Sequence, residues 1–159
     1  MATKASEHSA DLPAIFVGDV AQLGNDQRLL CPAEVRRVAN WLTRGEPGSV
    51  YAELAEPQHI RLWPVESISS RLERLKTELE VHPDSEEMLR ALADRYRLIA
   101  KHQDARVRFT EAVLLYLGVT PGDRPYLYVQ GSNRSAAIDV MSLRQRDALQ
   151  ARHRAATAI

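Results

Sequence analysis

The stretch GNDQRLLCPAEV, residues 24–35, and the stretch HQDARVRFTEAV, residues 102–113, carry the same order of signals. Each has a polar turn, an Asp two places before an Arg, a short apolar run and a helix start. In the first, Gly24-Asn25-Asp26 supplies the turn, residues 27–31 read as a strand, and Pro32 fits the first position of a helix. In the second, Arg106, Val107, Arg108 and Phe109 alternate, so Val107 and Phe109 face a core while both arginines face out. Thr110 then fits an N-cap.

The echo extends in both directions. Residues 15–20 form an apolar strand candidate before the first copy. After it, Val35, Val38, Ala39 and Leu42 recur at helical spacing, giving one buried stripe through Thr43. Glu46-Pro47-Gly48 is a turn, residues 49–55 and 59–63 alternate as two strands around Glu56-Pro57, and Pro64 ends the pairing. After the second copy, Val113, Leu114 and Leu117 make a stripe, Gly118 ends the helix, and residues 120–123 (Thr-Pro-Gly-Asp) turn the chain. Residues 124–130 and 136–141 follow as strands. Arg28 to Trp63 and Arg106 to Met141 both span 35 positions. This predicts a β-α-β-β unit written twice, and neither copy can bury enough alone, so the two halves form one joint β core.

The expected fold class is α+β, with residues 14–64 as the first half and 102–142 as the second. Between them, Ile68, Leu72, Leu75 and Leu79 share one helical face. His82-Pro83 breaks the chain, residues 84–87 have capping-box spacing, and Leu89, Leu92, Tyr96 and Ile99 form a second stripe. The spacing predicts a helical hairpin over 65–101. A last helix starts at Ser142 and runs to about Ala155, so residues 143–159 are read as C-terminal helix and tail. Residues 1–13 read as a disordered lead.

The chain has 159 residues, 45% hydrophobic and 26% charged, with zero formal net charge. Arginine supplies 18 of the 21 basic residues, and residues 102–159 hold 8 basic against 5 acidic side chains, making the last third the basic part. That balance permits an anionic partner without requiring one. No apolar run is long enough for a secretion signal or a membrane span, and a single cysteine, Cys31, suits a reducing compartment. A cytoplasmic protein without membrane contact is expected. His8, His59, His82, His102 and His153 are scattered without ligand spacing, so no metal or cofactor is expected. Neither a phosphate loop nor a nucleophile elbow is present, and the expectation is a protein that is not an enzyme.

The repeated unit resembles the MraZ branch of the AbrB-like swapped-hairpin transcription factors. The resemblance covers roughly residues 15–150. It rests on RLLCPAEV and RVRFTEAV, on the Pro-Gly turns at Pro47 and Pro121, and on strand ends IRLW and IDVM followed by a helix. It implies tandem swapped-hairpin halves and a DNA-binding transcriptional regulator that acts as a homo-oligomer on double-stranded DNA. In that family each half carries Asp-x-x-x-Arg, usually with Gly just before the Arg. Here Arg28 and Arg106 match, but Gly24 and His102 stand at the acidic position, and Gln27 and Ala105 replace the glycine.

On an extended strand, Asp26 and Asp104 would share a face with Arg28 and Arg106 and could pair with them. That pairing either decorates an edge with an exposed ion pair or holds each guanidinium toward a phosphate or base edge. Arg36, Arg37 and Arg108 lie off the apolar stripes and could add phosphate contacts. Trp41, Trp63 and Phe109 fall at core positions, while Tyr126 and Tyr128 share a strand face suited to a subunit interface. Two rival readings stand beside this one. The fold could serve a protein partner, such as another regulatory protein, without DNA. Alternatively, residues 84–121 match much of the tetratricopeptide spacing and would form a helical interaction module. A DNA binder must gather Arg28, Arg106 and Arg108 on one face.

Overall fold

The structure, a computed structural model, describes residues 15–44, 48–102 and 105–157. The lead at residues 1–13, the Glu46-Pro47 step of the first turn, and Asp104 lie outside the described residues.

The first half runs β1 (Phe16–Gln22), β2 (Arg28–Leu30), α1 (Ala33–Val38), β3 (Gly48–Glu56), β4 (His59–Pro64) and α2 (Val65–Leu79). After α3 (Ser85–Asp94), the second half repeats the order: β5 (Tyr96–Lys101), β6 (Arg106–Arg108), α4 (Glu111–Tyr116), β7 (Tyr126–Ser132), β8 (Ile138–Ser142) and α5 (Leu143–Thr157). All pairings are antiparallel, in the order β1-β7-β8-β4-β3-β5-β6-β2, and the end strands β1 and β2 come back into contact, so the sheet is nearly closed. The fold class is therefore α+β.

The expected helical hairpin over 65–101 is corrected at its end. Helix α3 stops at Asp94, and Tyr96–Lys101 is a strand paired with β3 on one side and β6 on the other. Leu89, Leu92, Tyr96 and Ile99 fit a helical stripe, yet without this strand the edge of β3 would keep its backbone donors and acceptors unpaired. The same strand leaves no helix–turn–helix over 84–121, because β5 and β6 stand where the second tetratricopeptide helix would run. It also supplies the counterpart of β1 that the β-α-β-β reading lacked. The first helix is shorter than expected as well: α1 ends at Val38, Ala39 leaves helical geometry (φ −113°, ψ 60°), and residues 40–42 form a separate 3₁₀ turn. Val35, Ala39 and Leu42 are buried all the same.

Strand pairing runs across the two halves. β1 pairs with β7, and β5 correspondingly pairs with β3. The pairing pattern is two-fold symmetric: β2–β6 is centred on Leu29 opposite Val107, and β4–β8 sets Arg61 opposite Asp139. In a nearly closed sheet of this order those two seams lie on opposite sides. One core joins the halves, with Leu29, Val35, Ile60 and Leu62 packed with Val107, Phe109, Val113 and Ile138. Helix α2 packs on β3 and β4, α5 on β7 and β8, and the short α1 and α4 seat Val35 and Val113 in the core.

Local signals read from the sequence hold at several points. Thr110 Oγ1 accepts from the Val113 N–H at 3.4 Å, and Gly118 (φ 79°) and Gly122 (φ 89°) take the left-handed backbone their turns require.

Candidate functional site

Strands β2 and β6 are three residues each, and their inner positions, Leu29 and Val107, are fully buried. Period-two alternation then forces Arg28, Leu30, Arg106 and Arg108 onto the outer face. Register sets Arg28 directly opposite Arg108, and Leu30 opposite Arg106. One step beyond, the Phe109 N–H donates to the Gln27 carbonyl at 2.9 Å. By the alternation of antiparallel ladders, Arg28–Arg108 is a non-hydrogen-bonded pair, the kind whose side chains stand closer. Arg28 and Arg108 are both exposed, and neither forms an ion pair with any described residue. Two like charges facing each other destabilise a sheet.

The turn before this ribbon is where sequence expectation fails. Asp26 is not extended: it takes φ 57°, ψ 28° inside the 3₁₀ turn Asn25–Gln27, and it makes no ion pair with Arg28. Residues two apart share a face only on extended backbone, which the left-handed turn removes. Gln27 (φ 63°) and Ala105 (φ 67°) occupy equivalent left-handed positions immediately before Arg28 and Arg106. A left-handed residue thus immediately precedes each of the two arginines.

The other expected residues distribute as follows. Arg36 and Arg37 stand on α1, apart from the ribbon strands; Arg37 is exposed, whereas Arg36 is half-buried with its Nε enclosed and unpartnered. Arg36 lies close enough to Cys31 to oppose the rise in the thiol pKa, but burial dominates and pushes Cys31 up to about 12, so the thiol is no nucleophile. Phe109 is buried in the core. Trp41 and Trp63 are half-buried and spend their indole N–H on the Ala136 carbonyl (2.7 Å) and Glu53 Oε1 (3.0 Å). Tyr126 is exposed, and Tyr128 lies beneath the Arg146 guanidinium, 5.4 Å from ring centroid to Cζ.

Two basic neighbours were missed. Arg124 Nη1 donates to Asn25 Oδ1 at 3.0 Å, beside the turn that leads into Arg28. At the equivalent place in the other half, Lys101 Nζ donates to the Arg44 carbonyl at 2.8 Å, next to the loop leading into Arg106. Only the pairing of distant strands brings these residues to the ribbon. A row of guanidinium groups on an exposed antiparallel ribbon can make bidentate contacts to phosphates or guanine edges.

On the opposite side, across β4 and β8, Asp139 Oδ1 accepts from His59 Nε2 (2.8 Å) and Arg61 Nε (3.2 Å), and Glu53 accepts from Trp63 and from Arg95 Nη2 (3.2 Å). Among the described residues no group of three or more His, Cys, Asp or Glu side chains could hold a metal ion, and no helix is long and apolar enough to cross a membrane. No family model and no curated protein matches the sequence.

Proposed function

We propose that this chain is a DNA-binding transcriptional regulator of the MraZ-like swapped-hairpin kind, acting as a homo-oligomer through the β2–β6 ribbon. The observation that carries the reading is the Arg28–Arg108 pair, met by no acid among the described residues, with Arg106 on the same face. A sheet with no anionic partner gains nothing from that arrangement, whereas a phosphate backbone neutralises it. Two further features support it. The reciprocal pairing of β1 with β7 and β5 with β3 is what exchanged hairpins produce. The left-handed backbone at Gln27 and Ala105 falls where the family usually carries glycine, the residue that tolerates it best. A two-stranded ribbon fits a major groove, and its two-fold pairing matches the local symmetry of duplex DNA. Few arginines per chain supply little affinity, so assembly on repeated sites adds the rest by avidity.

The test is fluorescence anisotropy of the full chain on duplex DNA from its own upstream region, across a salt series. Arg28→Ala and Arg108→Ala are each expected to weaken binding about tenfold and to reduce the salt slope by about one. Absence of binding at low salt, or indifference to both substitutions, overturns the reading. Light scattering tests assembly: a particle of 17.9 kDa, one chain, overturns the oligomer.

The reading as a partner for another regulatory protein is favoured by the α2–α3 turn. Val81 is 85% exposed there, and Met88 is exposed beside half-buried Leu79 and Leu89.

A further inference from the structure

The halves are built alike, but the space under their last helices is filled differently. Beneath α2 the packing is aromatic and aliphatic around one buried acid, Glu53, which accepts from the Trp63 indole. Ile68 is 1% exposed, Tyr96 is 6% exposed and meets Tyr51 edge-on at 6.2 Å, and Trp63 stands opposite Tyr51 across the β3–β4 hairpin. Aligning the halves on Arg28 and Arg106 puts Arg146 in the place of Ile68, Gln150 in that of Leu72 and His153 in that of Leu75. The strands change too. Met141 takes the place of Trp63, with Tyr128 opposite it as Tyr51 is opposite Trp63, and Gly18 takes the place of Tyr96.

Each change removes apolar volume or adds a polar head. Tyr128 leans into the space at Gly18, where any Cβ would collide with its hydroxyl. Helix α5 buries none of its residues, and a cleft of roughly 730 Å³ lies between it and the β4–β8–β7 face. That volume is the size of a small-molecule site.

The walls define the ligand's chemistry. Phe16, Tyr128, Met141 and Leu149 offer apolar surface. The two acids in the cleft are engaged: Asp139 by His59 and Arg61, and Glu56 by Gln145 Nε2 (3.0 Å) and Arg152 Nη2 (3.5 Å). Arg146 sits over Tyr128, held from outside by Asp147, while Arg154 also lines the cleft and pairs with no described acid. The surplus inside is cationic and lies beside an aromatic face.

We infer that this cleft is a binding site for a small organic anion with a flat apolar body, a carboxylate, sulfonate or phosphate ester on an aromatic frame. The body packs on Tyr128, Met141 and Leu149, and the anionic group meets Arg146 and Arg154. The site is on the far side of the sheet from the arginine ribbon and does not depend on the ribbon binding DNA.

The probe is 1-anilinonaphthalene-8-sulfonate, whose fluorescence rises in an apolar site, titrated into the full chain with the neutral N-phenyl-1-naphthylamine alongside. One saturable sulfonate site per chain is expected, with the neutral probe at least tenfold weaker. Arg146→Gln should weaken the sulfonate about tenfold and leave the neutral probe unchanged, and Leu149→Trp, which fills the cleft, should weaken both. Arg90→Gln on α3 removes the same charge elsewhere and should change neither; circular dichroism checks that each variant folds. Several sites per chain, equal binding of the two probes, an equal loss in Arg90→Gln, or full binding by Leu149→Trp overturns the inference. So does a site that vanishes as protein concentration raises the particle mass, since a second copy would then occupy the cleft.

Discussion

Replacing Arg28 by Glu should make the protein more stable and, under the proposed function, worse at binding DNA. In the sheet Arg28 faces Arg108, and cross-strand Cβ atoms stand about 4.5–5.5 Å apart, which leaves splayed guanidinium groups about 7 Å apart. Two unit charges at that distance in water repel by about 0.6 kcal/mol at low ionic strength. A Debye length of about 8 Å at 0.15 M salt reduces this to about 0.3 kcal/mol. Glu inverts the sign of the interaction, so the whole swing is about 1 kcal/mol at low salt and about half of that at 0.15 M. For a chain of this length, 1 kcal/mol moves Tm by about 2–4 °C. Thermal melts by circular dichroism at 20 and 300 mM salt, for Arg28→Glu and for the neutral Arg28→Gln, read both the sign and the screening. The ranking Glu above Gln above the parent chain is expected, with differences that shrink as salt rises. A lower Tm for Arg28→Glu, or a gain independent of salt, would refute the claim that uncompensated repulsion is stored at this seam.

Backbone and thiol chemistry give further tests. Gly118→Ala places a Cβ at φ 79° and should cost about 1–2 kcal/mol, whereas Gln27→Gly relieves φ 63° and should gain about 0.5 kcal/mol after glycine's entropy cost; urea melts decide both. Cys31 should resist Ellman's reagent at pH 8 until the chain unfolds. Its sign in alkali also follows: the unfolded thiol releases its proton at the ordinary value while the folded one holds it to about 12. Stability therefore falls between those values by up to about 1.4 kcal/mol per pH unit, and Cys31→Ala should flatten that slope; equal slopes would contradict it.

What was legible in the sequence was local. The Arg-apolar-Arg alternation around Val107, the Thr110 cap and the glycine-ended helix are each decided within a few residues, and each is found as read. Tyr96–Lys101 was not legible because its spacing also satisfies a helix, and the deciding partner, β3, lies about 50 residues earlier in the chain. The duplication itself held the missing hint, since a second half without a counterpart to β1 left one edge open. Asp26 was misjudged because two-residue spacing fixes a shared face only on extended backbone. The cleft under α5 could not be read from either half alone. It depends on which residues of one half replace those of the other, and on the contact of His59 with Asp139 across 80 positions.

The two ends of the symmetry axis respond oppositely to the same electrostatic problem. Two-fold pairing brings a position at the axis against its own counterpart, so a charge kept in both halves would face itself. Across β4–β8 that conflict is relieved: Asp139 stands where the first half has Arg61, and the two residues form an ion pair. At β2–β6 the change runs the other way. Arg108 stands where the first half has Leu30, and it faces Arg28 with no described acid to meet it. Had stability alone governed both seams, a leucine at position 108 would have left each arginine opposite an apolar partner. At the seam that carries the added repulsion both Arg28 and Arg108 are exposed, so an anion outside the chain can reach and neutralise them.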